Sequence, residues 1–439
     1  MPVRSTVAHS VALVATRVAV TAATRLAGFS ALSDDDYCRV TIAQAFALHP
    51  RLDPSGTSWL PAPFWGQGAI MLLAGRSLRV AELTSWTVAC LAVLIAYGAA
   101  RWAGSSPRAS FVGALSLALL PVAAVTGAAT VPELPVAACV AAALILLRRA
   151  DAPRMFAAAG LLTIASLSRY EAWPAALAVA VSFLWPSAER ASLRVRLGAS
   201  AAALSGPALW IAWNAHAHGD PLHFLARVSA YRDALGVASS LGAYPIAIAL
   251  DVIPVAIVAV GAVALGARTS SWGRPLGAAA FVLVALVAAE VRGGAPTHHP
   301  ERAVLSIAIV AWFAAVDALD RQSRRHVWLA GAAATMTLVS GIRVQGTLRS
   351  YGVDRSEEVA VGGWLATHAQ PGDRVLVEPS DYGYFAIQAA SGRPEAITVT
   401  RSLDPRNRGE QPVVVEARWV VSKSGEGDVR IGAWGIARR

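Results

Sequence analysis

The chain has 439 residues, 55% of them hydrophobic and only 15% charged, with a formal net charge of +10. A soluble protein carries nearer about a quarter charged residues, so the composition excludes an ordinary soluble globular protein and points to a multi-pass membrane protein. The positive charge comes from arginine, Lys423 being the only lysine. It clusters in short loops between apolar runs, which positive-inside sorting explains better than nucleic-acid binding.

The first apolar stretch, Val7 to Leu32, is interrupted by Arg17 and Arg25 and lacks a small-residue cleavage site. It is expected to be a retained first helix, the weakest span of the chain. Ser33-Asp34-Asp35-Asp36-Tyr37-Cys38-Arg39 follows. Three adjacent carboxylates hold water and cannot lie in lipid, so they must sit at or beyond a membrane boundary. Val40 to Ser77 is too polar and proline-rich to span. Within it Ile42, Ala43, Phe46 and Ala47 predict a short amphipathic helix on the membrane surface. Trp59 and Trp65, in the turn-rich segment after it, are of the interfacial anchor type.

Further spans are predicted near residues 81–100, 109–128, 134–148, 155–168, 172–186, 197–213, 241–267, 275–291, 302–318 and 326–343. With the first helix that makes about eleven, and apolar runs of about 18 or more residues, long enough to cross a bilayer, recur along the first 343 positions. Five arginine sets, among them Arg148/Arg149/Arg154 and Arg321/Arg324/Arg325, fall in alternate loops and would mark the cytoplasmic side. The N-terminus then lies in the cytoplasm. The opposite, outer side holds the acidic cluster, Glu133, Arg169-Tyr170-Glu171, the loop after Asn214 and His298-His299.

From Gln345 the character changes. Ser356 to Gln370 reads as an amphipathic helix and Arg374 to Glu378 as a strand, with further strands at Ala396–Thr400, Val413–Val421 and Val429–Ala433. The expected fold is therefore an all-α polytopic membrane domain over 1–343, with a first outer loop at 33–80. A small extracytoplasmic α/β domain covers 344–439. No internal repeat is evident. Cys38, Cys90 and Cys139 have no metal-ligand spacing, and two of them lie in apolar runs, so a disulfide framework is not expected.

Each polar motif has a bland reading beside a chemical one. The aspartates suit the start of a helix, whose dipole favours negative charge, but that explains one or two of three. Pro132 or Pro135 fits the first turn of a helix, whereas nothing structural demands Glu133 in Thr130-Val131-Pro132-Glu133-Leu134-Pro135. Arg169 and Glu171 can be a simple ion pair, with Tyr170 and Trp173 as interface anchors. Alternatively Arg169 holds a phosphate, for which a guanidinium is the fitting planar partner. His216 and His218, in a loop one residue apart, and His298-His299 lack zinc spacing. No metal site is assigned to them, and Arg302 is the better second phosphate ligand. Asp251 and Glu290 lie in or near apolar runs but close enough to the outer boundary to reach water. The candidate groups gather on one membrane face, as an active site at the bilayer surface requires. A transport path would need polar groups through the full depth.

The order of these motifs resembles the GT-C glycosyltransferases, and most closely glycosyltransferase family 39, the protein-mannosyltransferase-like enzymes and their aminoarabinose-transferase relatives. The features are an acidic group in the first outer loop, Pro132-Glu133 in the second, Arg169-Tyr170-Glu171-Ala172-Trp173, Gly219-Asp220-Pro221-Leu222 and His299-Pro300-Glu301-Arg302. The resemblance implies an inverting transferase of the cell (inner) membrane, moving a hexosyl or pentosyl group. The donor would be a polyprenyl-phosphate-linked sugar and the acceptor an unidentified protein, lipid or glycan on the outer face. It makes one carboxylate of the cluster the general base, Asp35 before Asp36, because the family pair is closely followed by an aromatic residue, here Tyr37. Glu133 matches the second acidic position, which orients the acceptor or helps bind a cation (Mg or Mn) if one is used; no other cofactor is implied. Arg169 and Arg302 would bind the donor phosphate, and Asp34, Tyr37, Trp59, Tyr170, Glu171 and His299 would line the substrate. The alternative is a polytopic transporter or lipid flippase, for which Pro254 near Asp251 is one feature without a matching partner.

Overall fold

The computed structural model describes all residues except 1, 57, 150, 186–190, 236–254, 265–269, 293–299, 351, 405–412, 414 and 424–426. Asp251, Pro254 and His298-His299 thus lie outside the described residues.

Helix α1 (Pro2–Leu26) is followed by α2 (Asp34–Leu48) and α3 (Ala62–Ala74), then by the long α4 (Leu78–Trp102). α1, α4, and two later helices, α15 (Gly273–Val291) and α16 (Pro300–Asp320), each contain a stretch long and apolar enough to cross a membrane. Shorter apolar helices pack among them: α8 (Glu133–Leu146), α10 (Ala172–Leu184) and α14 (Val255–Ala264). α9 (Ala152–Ser166) and α17 (Arg325–Ser350) occupy two more expected spans. One apolar core runs through the bundle, with α8 buried along nearly its whole length.

Two expected spans are broken helices. Residues 109–128 form α5 (Pro107–Ala114), α6 (Ser116–Leu119) and α7 (Pro121–Thr126). Pro121 has no N–H to give to the carbonyl of Leu117, four residues earlier. Ala128, which would serve Ala124, instead bonds Val125. Arg17 of α1, fully buried, reaches across to both orphans. Its Nη1 donates to Leu117 O at 3.3 Å and Ala123 O at 2.9 Å, and its Nη2 to Ala124 O at 3.1 Å. Thr21 Oγ1 accepts from the rest of the guanidinium. The arginine that interrupts the first apolar stretch therefore closes the break in another helix. Gly127 makes room for this clasp: a Cβ there would lie 2.8 Å from Arg17 Nη1 and 2.7 Å from Leu134, so the guanidinium would have to shift. The second break divides 197–213 into α11 (Leu193–Ala203) and α12 (Ser205–His218). Thr163 and Ser205 hydroxyls both donate to Ala202 O there, an insertion into the helical ladder of the kind that kinks helices. α13 (His223–Leu235) follows.

α2 begins at Asp34 itself, so the acidic cluster is its first turn rather than a segment ahead of it. Asp36 Oδ2 accepts the Ser33 N–H at 3.2 Å, the reciprocal arm of a capping box. Nor does α2 lie alone on a surface: Val40, Ala43 and Ala47 pack against Met71 of α3 and Ala386 and Ala389 of the C-terminal domain.

That domain contains α18 (Ser356–His368), α19 (Tyr384–Ser391) and a five-stranded sheet of order β2-β1-β3-β5-β4. β1 (Val375–Val377) lies parallel to β2 (Ile397–Val399) and β3 (Trp419–Ser422), while β5 (Trp434–Arg438) runs antiparallel to β3 and β4 (Val429–Ile431). The strand expected from Val413 starts only at Trp419. Val361, Leu365, Val377, Ile387, Val421 and Ile436 form its core. The domain is fastened to α2 and to the turn before α4. Gln44 Nε2 donates to Ala389 O and Arg76 O, and Arg76 forms a two-pronged pair with Glu395.

Candidate active site

Consecutive residues in a helix point about 100° apart, and the three aspartates accordingly meet three different surroundings. Asp34 faces the C-terminal domain, where Arg355 donates Nε and Nη2 to its two oxygens at 2.8 and 2.9 Å. Asp36 turns into the bundle and is buried; Thr130 N donates to its Oδ1 at 3.3 Å and the Thr130 hydroxyl to its backbone carbonyl at 3.1 Å. Burial pushes the Asp36 pKa up to about 7; Glu133 adds to the rise, and Arg302 and the two backbone N–H groups oppose it. Asp35 is exposed and forms no hydrogen bond or ion pair among the described residues. It lies within electrostatic reach of Arg39, Arg169 and, from α13, Tyr231.

Beside this turn sits Glu133, the first residue of α8 and itself buried. Arg169 Nη1 donates to Glu133 Oε1 at 2.6 Å, and Arg302 approaches the same oxygen at 3.5 Å. Glu171 grips the other edge of Arg169, through Nε at 3.1 Å and through Nη2. The second oxygen of Glu133 is buried with no hydrogen-bond partner among the described residues. A narrow cleft lies beside Glu133, Arg169, Glu171 and Arg302 and is lined further by Val136, Val140, Ala303 and Ser306.

Arg39 completes the array. It lies about one turn beyond Asp35 on α2 and its charge faces Glu133 and Asp35. Its guanidinium stacks 4.3 Å from the Trp59 ring. Tyr170 fixes the loop that presents Trp59. Its hydroxyl donates to Ser58 O at 2.8 Å and accepts from Trp210 at 3.1 Å, and its ring stacks on Phe224. The arrangement can do three things chemically. It offers a solvent-facing carboxylate as a base, a buried carboxylate oxygen as an acceptor, and three guanidinium groups for an anion.

The structure thus brings Asp35, Asp36, Glu133, Arg169, Glu171 and Arg302 together, with Trp59 reaching them through Arg39. Tyr170 supports that loop from the aromatic cluster with Phe224 and Trp173. Tyr37 is buried away from the arginines, among Val40, Met71 and Ala81, and Asp34 is occupied by Arg355. His299 lies outside the described residues. His216 and His218 stand in the last turn of α12 rather than in a loop, and His218 stacks on His223. Glu290 is 1% exposed in the last turn of α15, so it does not reach water as expected from its position near the outer boundary. Sequence reasoning passed over Arg39 and Thr130, although both stand in quoted motifs; helical spacing from Asp35 was the signal for Arg39. Arg355 gave no signal, since its partner is 321 positions away.

Residues 53–213, less than half of the chain, match the family model described as dolichyl-phosphate-mannose-protein mannosyltransferase. No curated protein sequence matches the chain. Among solved structures it is similar to ArnT from Cupriavidus metallidurans in the apo state, with a TM-score of 0.65 and 14% identity over 94% of this chain and 92% of that one. It is also similar to the same protein bound to undecaprenyl phosphate, with a TM-score of 0.58 and 15% identity over 94% and 93%. At such low identity the likeness speaks for the fold. The chain is a polytopic membrane protein of the GT-C glycosyltransferase fold, with a small C-terminal α/β domain, and it resembles glycosyltransferase family 39.

Proposed function

We propose that the protein is an inverting glycosyltransferase that moves a sugar from a polyprenyl-phosphate-linked donor to an acceptor on the outer face of the cell (inner) membrane. The observation that carries this reading is the exposed Asp35 carboxylate next to a buried Glu133 that is ringed by arginines. The fold shared with an undecaprenyl-phosphate-binding protein supports the choice of donor. In this reading Asp35 removes the proton of an acceptor hydroxyl as that oxygen attacks the anomeric carbon. The bond from the anomeric carbon to the phosphate oxygen breaks, and its electron pair leaves on the polyprenyl phosphate. Configuration at the sugar inverts in one displacement. Arg169 and Arg302, with Arg39 behind them, stabilise the phosphate as its charge grows. Glu133 keeps Arg169 and Arg302 in place and offers its second oxygen to the substrate. Asp36 ties the start of α2 to Thr130.

The residues present do not fit a divalent cation at Glu133. Glu133 stands among three guanidinium groups and Glu171 is taken up by Arg169, and among the described residues no group of three or more His, Cys, Asp or Glu is placed to hold a metal. No step is therefore routed through Mg or Mn. The alternate arginine loops support an orientation with the N-terminus in the cytoplasm and the C-terminal domain, from about residue 344, outside.

The test is incubation of purified protein with a panel of radiolabelled undecaprenyl-phosphate hexoses and pentoses plus a membrane extract as acceptor, scoring release of lipid phosphate. Release by the wild type, persisting after an EDTA wash and lost in Asp35→Asn, is the expected result. Translocation of a labelled lipid in vesicles, with no release from any donor, would sink the reading.

A further inference from the structure

The C-terminal domain reaches the acidic turn through a short segment just ahead of α18. Ser30 Oγ donates to Val353 O at 2.7 Å, and Val353 N donates to Ala31 O at 3.2 Å, forming an isolated bridge between these two strands of chain. Two residues on, Arg355 grips Asp34 with both prongs of its guanidinium. The pair is largely enclosed, with side-chain exposures of 14% and 21%. Arg355 is held from its other side by Glu358 at 3.4 Å and Asp381 at 3.2 Å, and Lys423 balances those two carboxylates at 3.6 Å each. At position 383 a Cβ would fall within 3 Å of Arg355 Nη1, Asp381 and Glu358, so a glycine there makes room for the cluster.

On the far side of the same turn, Asp36 is tied to Thr130 in the loop between α7 and α8. Asp35 stands between these two anchors, one in the C-terminal domain and one in the membrane bundle. Its own side chain makes no bond that would orient it among the described residues. The direction in which Asp35 points is then set by its neighbours. Helical geometry fixes it relative to Asp34 and Asp36, and those two are fixed to separate bodies.

We infer that Arg355 is a positioning residue for the transfer reaction: by clamping Asp34 it aims Asp35 at the cleft, so that the C-terminal domain forms part of the active site. The inference rests on the assignment of Asp35 as the base. A two-pronged guanidinium pair fixes orientation as well as distance, which a lysine in its place does not do. Loss of the clamp leaves the donor's arginines, Arg169, Arg302 and Arg39, in place, while the base loses its fixed direction. Misplacement of a reacting group by about 1 Å costs on the order of 100-fold in rate.

The experiment compares wild type, Arg355→Lys, Arg355→Met, Asp34→Asn and the charge-swapped pair Asp34→Arg with Arg355→Asp. All are assayed with the undecaprenyl-phosphate sugar that the wild type uses, and rates are expressed per folded molecule from a monodisperse elution peak. The single variants are expected to lose roughly 10- to 100-fold in kcat with donor KM unchanged within about twofold. The swapped pair is expected to recover most of the loss. A purely structural contact predicts instead a lower yield of folded protein with normal kcat in what remains. Normal kcat in folded Asp34→Asn and Arg355→Lys overturns the inference. If those variants are normal while Asp35→Asn is inactive, the function stands and only the clamp fails; if Asp35→Asn is itself active, the assignment of the base fails first.

Discussion

The bundle holds a buried carboxylate set against two arginines at each of its ends, and the two differ in one respect. At the end away from the C-terminal domain, Asp317 Oδ2 receives Arg321 at 2.6 Å, Arg148 at 3.1 Å and the indole N–H of Trp272 at 3.0 Å. Arg148 also stacks over that indole at 4.4 Å. At the other end, Glu133 places one oxygen against Arg169 and Arg302 and leaves the second without a partner, beside an exposed aspartate and a cleft. The charges are alike. Asp317 gathers all three donors on one oxygen beneath an indole, whereas Glu133 keeps a buried second oxygen without a partner and borders a cleft. A buried acceptor left unpaired is costly, and that cost is relieved when a substrate donor arrives. The comparison teaches that similar ion clusters differ in use by what adjoins them: an indole and two arginines at Asp317, a cleft and an exposed carboxylate at Glu133.

The largest effect that would break this contrast is at Asp35. Asp35→Asn removes the base while keeping size and exposure, and a fall in lipid-phosphate release of about 100- to 10,000-fold is expected, with unchanged elution on size exclusion. Next, Glu133→Gln and Asp317→Asn should part company. Glu133→Gln is expected to lower kcat by roughly 100-fold, as for loss of one oriented group at a reacting centre. Asp317→Asn should leave kcat within a few-fold but destabilise the fold by about 3 kcal/mol, the scale for breaking a buried pair. Paired activity and thermal-shift measurements decide it; equal loss of activity in both would end the distinction.

A smaller effect is expected at the phosphate ligands. Arg169→Lys and Arg302→Lys keep the charge but lose the planar fork, so the donor KM should rise by roughly tenfold; an unchanged KM in both would take them out of donor binding. The smallest effect is in pH dependence. Because burial raises the Asp36 pKa to about 7, the folded protein binds a proton there that an unfolded chain has released by about pH 4. Stability contributed by protonated Asp36 is present below that value and is lost as pH rises through about 7. Asp36→Asn, which cannot ionise, should flatten the fall in Tm between pH 4 and 7. A wild-type-like slope in that variant would place the titrating group elsewhere.

Much of the layout was legible from hydropathy and loop charge, because a membrane span must be apolar over a fixed length. The position of Glu133 and Arg169 at one end follows from the same rule. The breaks in 109–128 and 197–213 escaped an average over apolar residues, although Pro121 was a visible stop signal. The division of labour among Asp34, Asp35 and Asp36 was not legible at all. Three identical side chains in sequence acquire different surroundings only from Arg355 and Thr130, which arrive from distant parts of the chain. Strand β5 and helix α19 were passed over because each is short: eight residues in α19 and five in β5 show little of the periodicity that betrays longer elements.

The clasp of Arg17 on the broken helix has a consequence for how the protein is made. Arg17 lies about 14 Å from the C-terminal end of α1, deep enough that inserting it alone costs roughly 3 kcal/mol on a translocon scale. The carbonyls of Leu117, Ala123 and Ala124 that neutralise this cost are synthesised about a hundred residues later. Until they emerge, α1 is a poor occupant of the lipid, and the carbonyls in turn have no donor until α1 is beside them. Insertion of the first helix and of the broken span at 109–128 is thus a mutual event during biosynthesis, in which the ribosome's lag between residues 17 and 124 sets how long the first helix must wait for its place in the bilayer.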